Sequence, residues 1–326
     1  MINYWQQEDG VFIKKDKESI DTKQRLWVDC RTVTTKDITI LEENYNIDHE
    51  HILDALDPDE LSRIEQGEGY VLTIMRLPLY LPNSEVRYHT APMGALIFQN
   101  TIITLCYTDC EVLKDLSNNR IKDLNISDFP AFITRILSRA DTTFLRYLKE
   151  INRNTNAIQQ ELQESIENTE LIQLFNLEKS LMYFTSSLKS NQLLLEKIRK
   201  TKIIKFDDED QDWLEDVEVD NRQAMEMANT YSQIISGTMD AFDSVISNNM
   251  NVVMKQLTVF SIALMLISFI TSFWGMNIKL PWSSDQGWTG FIIISISCVV
   301  ISCGSFLLMS FMPKFKKAVR ARKHRK

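Results

Sequence analysis

The segment LTVFSIALMLISFITSFWGMN, Leu257–Asn277, decides the architecture of this chain of 326 residues. Its first 18 residues, Leu257–Trp274, carry no charged side chain. As an α-helix they would be about 27 Å long, close to the thickness of the hydrocarbon core of a bilayer. A second uncharged stretch covers the 28 residues of 286–313. We therefore predict two transmembrane helices, at residues 251–277 and 289–313.

The charge distribution predicts how these helices lie in the membrane. Residues 314–326 contain eight Lys or Arg and no acid, whereas the rest of the chain has 28 basic and 44 acidic residues. A basic segment next to a membrane helix favours the cytoplasmic side. We therefore predict a multi-pass protein of the cell membrane, with both termini in the cytoplasm and an external loop at residues 278–288. Topology and anionic lipid suffice to explain the basic tail, so no nucleic-acid partner is predicted.

Glycine and proline separate an N-terminal domain from a helical region. Five of the seven prolines and four of the nine glycines occur by Pro130, and residues 131–236 contain neither. This distribution favours mixed α/β structure in residues 1–130 and long helices in residues 131–250. The fold class that we predict is an α+β cytosolic domain, followed by a coiled-coil stalk of long helices and the two C-terminal membrane helices.

Apolar and β-branched runs predict four strands and two helices in the N-terminal domain. The predicted strands are Leu26–Cys30, Tyr70–Leu77, Met93–Phe98 and Thr101–Cys106, and the predicted helices are Asp37–Tyr45 and His51–Gln66. The chain shows no Gly-rich phosphate loop, nucleophile elbow or credible Ser/His/Asp grouping. The sequence therefore does not predict an enzyme.

An apolar seam with alternating steps of three and four residues follows in the helical region. Its members are Leu174, Leu177, Leu181, Phe184, Leu188, Leu195 and Ile198, with Asn191 at one register position. This pattern is typical of a coiled coil and predicts an antiparallel partner helix at Phe132–Glu167. A third long helix is predicted from about Trp213 into the first membrane segment.

Small polar side chains follow one face of the first membrane segment. Steps of three and four residues join Thr258, Ser261, Met265, Ser268 and Ser272, and Asn251 and Met254 extend the same stripe toward the cytoplasm. A neutral stripe with hydroxyl groups can line a narrow aqueous path without binding ions tightly. Small residues also allow membrane helices to pack closely, so periodicity alone leaves both interpretations open.

The tripeptide Gly275-Met276-Asn277 ends this segment. Together with NVVMKQLT, Asn251–Thr258, which leads to it without a gap, it resembles the pore helix of the CorA family of divalent-cation channels. The resemblance is specific in the C-terminal third and covers only the general order of elements in the N-terminal part. It implies a funnel-shaped homopentamer in which several copies of the first membrane helix surround the pore.

The resemblance also implies roles for individual residues. Gly275, Met276 and Asn277 match the selectivity filter, and Leu257 and Met265 match hydrophobic constrictions. The pore-lining positions that it implies are Asn251, Met254, Leu257, Thr258, Ser261, Met265, Ser268 and Ser272. Asp216 and Asp240 match carboxylates of a regulatory metal site. No resident cofactor is expected, because Mg²⁺ is the transported ion and also the candidate regulatory ion.

Three functions stay open at this point. The first is a channel that imports divalent cations driven by the membrane potential, chiefly Mg²⁺, with Co²⁺ and Ni²⁺ as further candidates. The second is a ZntB-like zinc transporter coupled to protons. It is favoured by Lys279 and by the lack of an acid at Leu79–Pro82, where only Glu85 is nearby. The third is a membrane-anchored scaffold whose coiled coil binds other proteins, and ion flux would distinguish it from the transporters.

Overall fold

The structure is a computed structural model. It describes residues 1–21, 23–121, 124–126, 128–164, 168–200, 208–275, 288, 292–304 and 307. Internal contacts divide the chain into two compact units, Met1–Met239 and Asp240–Lys326.

A seven-stranded sheet forms the centre of the first unit. Its strands are β1 Ile2–Glu8, β2 Val11–Lys15, β3 Leu26–Arg31, β4 Arg63–Gln66, β5 Val71–Tyr80, β6 Tyr88–Ile97 and β7 Thr101–Cys106. Their order is β2-β1-β3-β7-β6-β5-β4, and only β3 and β7 pair in parallel. The four predicted strands are confirmed, β7 with the predicted bounds and β3, β5 and β6 with shifted ends. The other three strands were not predicted.

Six α-helices begin within the described residues of the first unit, and the last of them continues into the second unit. They are α1 Thr35–Tyr45, α2 His49–Leu56, α3 Glu111–Ser117, α4 Phe129–Glu164, α5 Asn168–Lys200 and α6 Asp208–Trp274. The prediction of one helix at His51–Gln66 was wrong, because α2 ends at Leu56 and the chain continues into β4. The cause is Pro58, which disfavours helical backbone at Asp57, and Asp57 is extended with φ −71° and ψ 116°.

The first two strands form a hairpin whose turn is Asp9-Gly10. Both residues have positive φ, 49° and 80°, as a tight two-residue hairpin turn requires. An Asp-Gly pair between polar strands was the available sequence signal for this hairpin.

Helices cover both faces of the sheet. On one face, α1 and α2 pack through Leu41 and Ile52 against Leu72 and Ile74 of β5. On the other face, α3, α4 and α5 contact β5. This double cover explains why the residues of β5 from Leu72 to Leu79 are all buried rather than alternately exposed.

The predicted seam of α5 is buried except at Leu177, which is half-buried, and α5 contacts the sheet as well as α4. Asn191 at the polar register position is fully buried. Its Oδ1 accepts hydrogen bonds from the backbone N–H of Arg76 at 2.9 Å and from Ser62 Oγ at 2.7 Å. Its Nδ2 donates to the carbonyl oxygen of Arg76 at 2.8 Å. The Asn191 amide thus pairs with the β5 backbone at a point beyond the end of β4.

Candidate functional site

The second unit contains the apolar part of α6. Among the described residues, this is the only helix long and apolar enough to cross a membrane, with a mean hydropathy of 1.9 in its most apolar window. A further apolar helix, α7, spans Ile292–Gly304 and is shorter. The predicted second membrane helix at 289–313 lies partly outside the described residues and stays a prediction.

The polar stripe lies on an exposed face of α6. All of its predicted pore-lining residues are exposed in the single chain, and the exposed fraction of Met265 is 68%. These residues are Asn251, Met254, Leu257, Thr258, Ser261, Met265, Ser268 and Ser272. The covered residues between positions 251 and 272 are Val259, Ala263, Ile267 and Ile270, which follow one another at steps of four, four and three.

Helical geometry places these two groups on opposite faces. Ala263, which is 7% exposed, lies near the centre of the covered face. At 3.6 residues per turn, it points away from Ser261, Met265 and Ser268 by roughly half a turn. Each chain therefore covers only this narrow face of the helix. The hydroxyl-bearing side is uncovered, and so are large apolar side chains such as Phe260. Both a pore wall and a surface for helix packing require such an uncovered side.

The threonine hydroxyls of this segment donate to the helix itself. Thr258 Oγ1 donates to the carbonyl oxygen of Met254 at 2.8 Å. Thr271 Oγ1 lies 3.1 Å from the carbonyl oxygens of both Ile267 and Ser268. A hydroxyl that donates to the backbone keeps its oxygen lone pairs for outside donors. Thr258 therefore adds a hydrogen-bond acceptor to the stripe, which suits the water shell of a cation.

The helix ends at the start of the predicted filter tripeptide. The backbone N–H of Gly275 donates to the carbonyl oxygens of Thr271 and Ser272 at 3.0 and 3.1 Å. Gly275 is exposed and continues the last turn of α6. Met276 and Asn277 lie outside the described residues, so their role in a filter stays a prediction.

The two predicted regulatory acids occupy different units. Asp216 lies in the first unit and Asp240 begins the second, and both side chains are exposed on α6. Glu85 is exposed in the hairpin between β5 and β6. Within the described part of one chain, no group of three or more His, Cys, Asp or Glu could hold a metal ion.

One buried polar contact was missed by the sequence analysis. Asp141 of α4 is fully buried and accepts a hydrogen bond from Nδ2 of Asn221 on α6 at 3.1 Å. Burial raises the pKa of the Asp141 carboxyl well above its usual range. Because the two residues are 80 positions apart, no local pattern could have indicated this pair.

Known proteins resemble the chain over nearly its whole length. The cobalt/magnesium transport protein CorA of Methanocaldococcus jannaschii is 27% identical over 310 residues, which cover 90% of this chain and 93% of that protein. The complete structure of the CorA magnesium transporter from the same organism matches with a TM-score of 0.78 at 22% identity, over 94% of this chain and 96% of that one. The ZntB cytoplasmic domain from Vibrio parahaemolyticus matches with a TM-score of 0.59 at 10% identity, over 76% and 98% of the two chains.

The structural matches show a shared fold, an α+β N-terminal domain followed by long helices. The predicted fold class is confirmed to that extent. The family model described as CorA-like Mg²⁺ transporter protein matches residues 22–317. Since this match spans most of the sequence, the chain belongs to the family of CorA-like Mg²⁺ transporter proteins.

Proposed function

We propose that the chain forms a channel in the cell membrane that imports divalent cations, chiefly Mg²⁺. Membership of the CorA-like family and the cobalt/magnesium transport assigned to the relative from M. jannaschii support this function. The observation that carries the proposal is the uncovered hydroxyl-bearing stripe of α6. One helix cannot enclose an aqueous path, so the proposal includes a homo-oligomer, taken as a pentamer from the family resemblance. Both termini then lie in the cytoplasm.

Asn277 is the proposed recognition residue for the hydrated ion. Mg²⁺ loses its water shell reluctantly and prefers octahedral oxygen ligands. A ring of Asn277 side-chain oxygens would accept hydrogen bonds from the coordinated waters without adding charge that would trap the ion. Gly275 and Met276 complete the filter loop.

The rest of the stripe would conduct and gate. Leu257 and Met265, both exposed in the single chain, would form apolar rings that exclude water when narrow. Asn251 would form a polar ring at the cytoplasmic mouth. Asp216 and Asp240 would bind intracellular Mg²⁺ together with oxygen ligands from neighbouring subunits and hold the pore closed.

The membrane potential would drive entry without another energy source. A charge crossing 100 mV gains about 2.3 kcal/mol, so a divalent ion gains ~4.6 kcal/mol when it moves inward. A proton gradient is therefore not needed for magnesium accumulation under this proposal.

The test is divalent-cation flux into proteoliposomes that contain only this protein. We expect Mg²⁺ entry that follows an imposed voltage and does not change with a proton gradient. Asn277→Ala should abolish the preference for Mg²⁺. Asn168→Ala is the same change at the exposed first residue of α5 and should behave as wild type. Unchanged influx and selectivity in Asn277→Ala would show that the filter assignment is wrong.

The same experiment separates the alternatives. Lys279 adds a cation where the resembling family often has acids, and this favours a zinc transporter of the ZntB type. Zinc entry that requires a proton gradient would establish that function. No flux of either ion would favour the membrane-anchored scaffold.

A further inference from the structure

Asp141 and Asn221 form the most buried polar contact between α4 and α6 in the first unit. Both side chains are fully buried. Around Asp141, α4 contributes the buried apolar residues Leu137 and Phe144. Asn221 occupies the polar position of an α6 stripe that is otherwise apolar, Leu214, Val217, Ala224 and Ala228. The pair is therefore enclosed by apolar side chains from both helices.

Asp141 differs in its partners from three other buried acids. Asp29, Asp115 and Glu218 each form an ion pair with an arginine. Asp141 forms no ion pair with any residue that the structure describes, and its one hydrogen-bond donor is the neutral amide of Asn221. A buried carboxylate without a cation is far less stable than the neutral acid.

Two oxygen atoms of this pair lack a partner. Asp141 Oδ2 and Asn221 Oδ1 are both buried and have no hydrogen bond to the described part of the chain. Each is only an acceptor while Asp141 is ionised. A proton on Oδ2 of Asp141 turns this oxygen into a donor. The acceptor for it is Oδ1 of Asn221, on the same amide whose Nδ2 already donates to Oδ1 of Asp141. An acid and an amide then form a ring closed by two hydrogen bonds.

We propose that Asp141 holds a proton in the folded protein, that this proton closes the ring with Asn221, and that the contact between α4 and α6 therefore weakens when the proton is lost. No atom other than the proton is gained or released, and it passes to water. The contact is thus a pH-sensitive connection between α4 and the long helix α6. This inference does not depend on the identity of the transported ion.

The charges around the pair set the direction of the effect. Asp220 on α6 is the only described charge that acts on the Asp141 carboxyl, and like burial it favours the protonated form. Two arginines of these helices form ion pairs with other acids: Arg139 of α4 pairs with Asp115 of α3, and Arg199 of α5 pairs with Glu218 of α6. No charged group of α3, α5 or β5 that the structure describes acts on Asp141.

The raised pKa of Asp141 fixes the sign of the pH dependence of stability. The pKa of Asp141 is higher in the folded chain than in the unfolded chain, so its contribution to stability is complete below about pH 4. It is lost as the pH rises through the folded pKa. Within that window the folding equilibrium constant should fall up to tenfold per pH unit from this group alone.

The test compares wild type with Asp141→Asn in the full-length protein in detergent micelles. Asn has nearly the shape of the protonated acid and can close the same ring with Asn221 at any pH. In infrared spectra titrated upward from pH 4, the difference between wild type and Asp141→Asn should show a protonated-carboxyl C=O band. This band should persist at pH values where an exposed aspartate has already ionised. Thermal unfolding across pH 5 to 9 should show a wild-type loss of stability at rising pH that the variant lacks.

Glu226→Gln is the matched control, because it removes one exposed acid from the same helix. It should leave both the infrared band and the pH dependence unchanged. Asp220→Asn should move the pH at which the band disappears to a lower value, since it removes the neighbouring negative charge. This variant keeps the inference testable if Asp141→Asn fails to fold. An unchanged spectrum in Asp141→Asn, or a band whose titration ignores Asp220→Asn, would overturn the proposal.

Discussion

Replacement of Asn191 by alanine tests whether the α5 amide secures the end of the sheet. In the structure, Asn191 binds the N–H and the C=O of Arg76 at 2.9 and 2.8 Å and Ser62 Oγ at 2.7 Å. Alanine would leave both buried backbone groups of Arg76 without a partner. Each such group costs about 1–3 kcal/mol, so the expected loss of unfolding free energy is about 2–6 kcal/mol.

The assay is thermal unfolding of the full-length protein, followed by circular dichroism. At about 2–4 °C per kcal/mol, the melting temperature of Asn191→Ala should fall by roughly 5–20 °C. Asn191→Asp should not recover the loss, because a buried carboxylate oxygen would then face the carbonyl oxygen of Arg76 in place of the amide donor. Gln173→Ala changes an exposed amide on the same helix and serves as the control.

One result would refute the reasoning. If Asn191→Ala melts within about 2 °C of Gln173→Ala, the lost hydrogen bonds are worth less than about 1 kcal/mol. The Asn191 amide would then not stabilise β5, and the register of α5 on the sheet would need another cause.

Two further predictions concern the N-terminal unit. A Cβ atom at Gly94 of β6 would lie 2.5 Å from Cβ of Ala55 on α2, so Gly94→Ala should destabilise the fold by about 1–3 kcal/mol. Adding Ala55→Gly to Gly94→Ala should restore part of the lost melting temperature. A double variant that melts no higher than Gly94→Ala would contradict this close approach. Burial raises the pKa of Tyr88 to about 12, and the neighbouring carboxylate of Glu150 adds to this shift. The contribution of Tyr88 to stability should therefore be lost between about pH 10 and pH 12. Tyr88→Phe should lack this loss in alkaline unfolding curves, and a wild-type absorbance titration in which every tyrosine ionises near pH 10 would disprove it.

Several elements could be predicted from local pattern because local physics controls them. The strands β3 and β7 have runs of apolar and β-branched residues, and the structure confirms both. The uncharged stretch of α6 is long enough for a membrane whatever surrounds it. The helical steps that join Thr258 to Ser272 place these residues on one face, and a continuous helix preserves that face.

Other features of the fold depend on single residues whose effect the apolar patterns of the sequence did not reveal. Pro58 ends the helical run after α2, although the apolar spacing of His51–Gln66 looked continuous. Asn191 was recognised as the polar position of a seam, but its main partner is the backbone of β5 rather than another helix. A seam position shows that a residue is buried and does not show which surface covers it.

One membrane-length apolar helix and its hydroxyl-bearing face follow from the amino-acid sequence, because hydrophobicity and helical periodicity act over a few turns. The family resemblance follows from the sequence as well. Tertiary structure alone brings Asp141 to Asn221 across 80 residues and leaves their remaining oxygens enclosed without partners. It also covers Ala263 while leaving the opposite stripe open. The physical reason is that burial and the ionisation of a buried group depend on neighbours that are distant in the chain, and only folding brings those neighbours together.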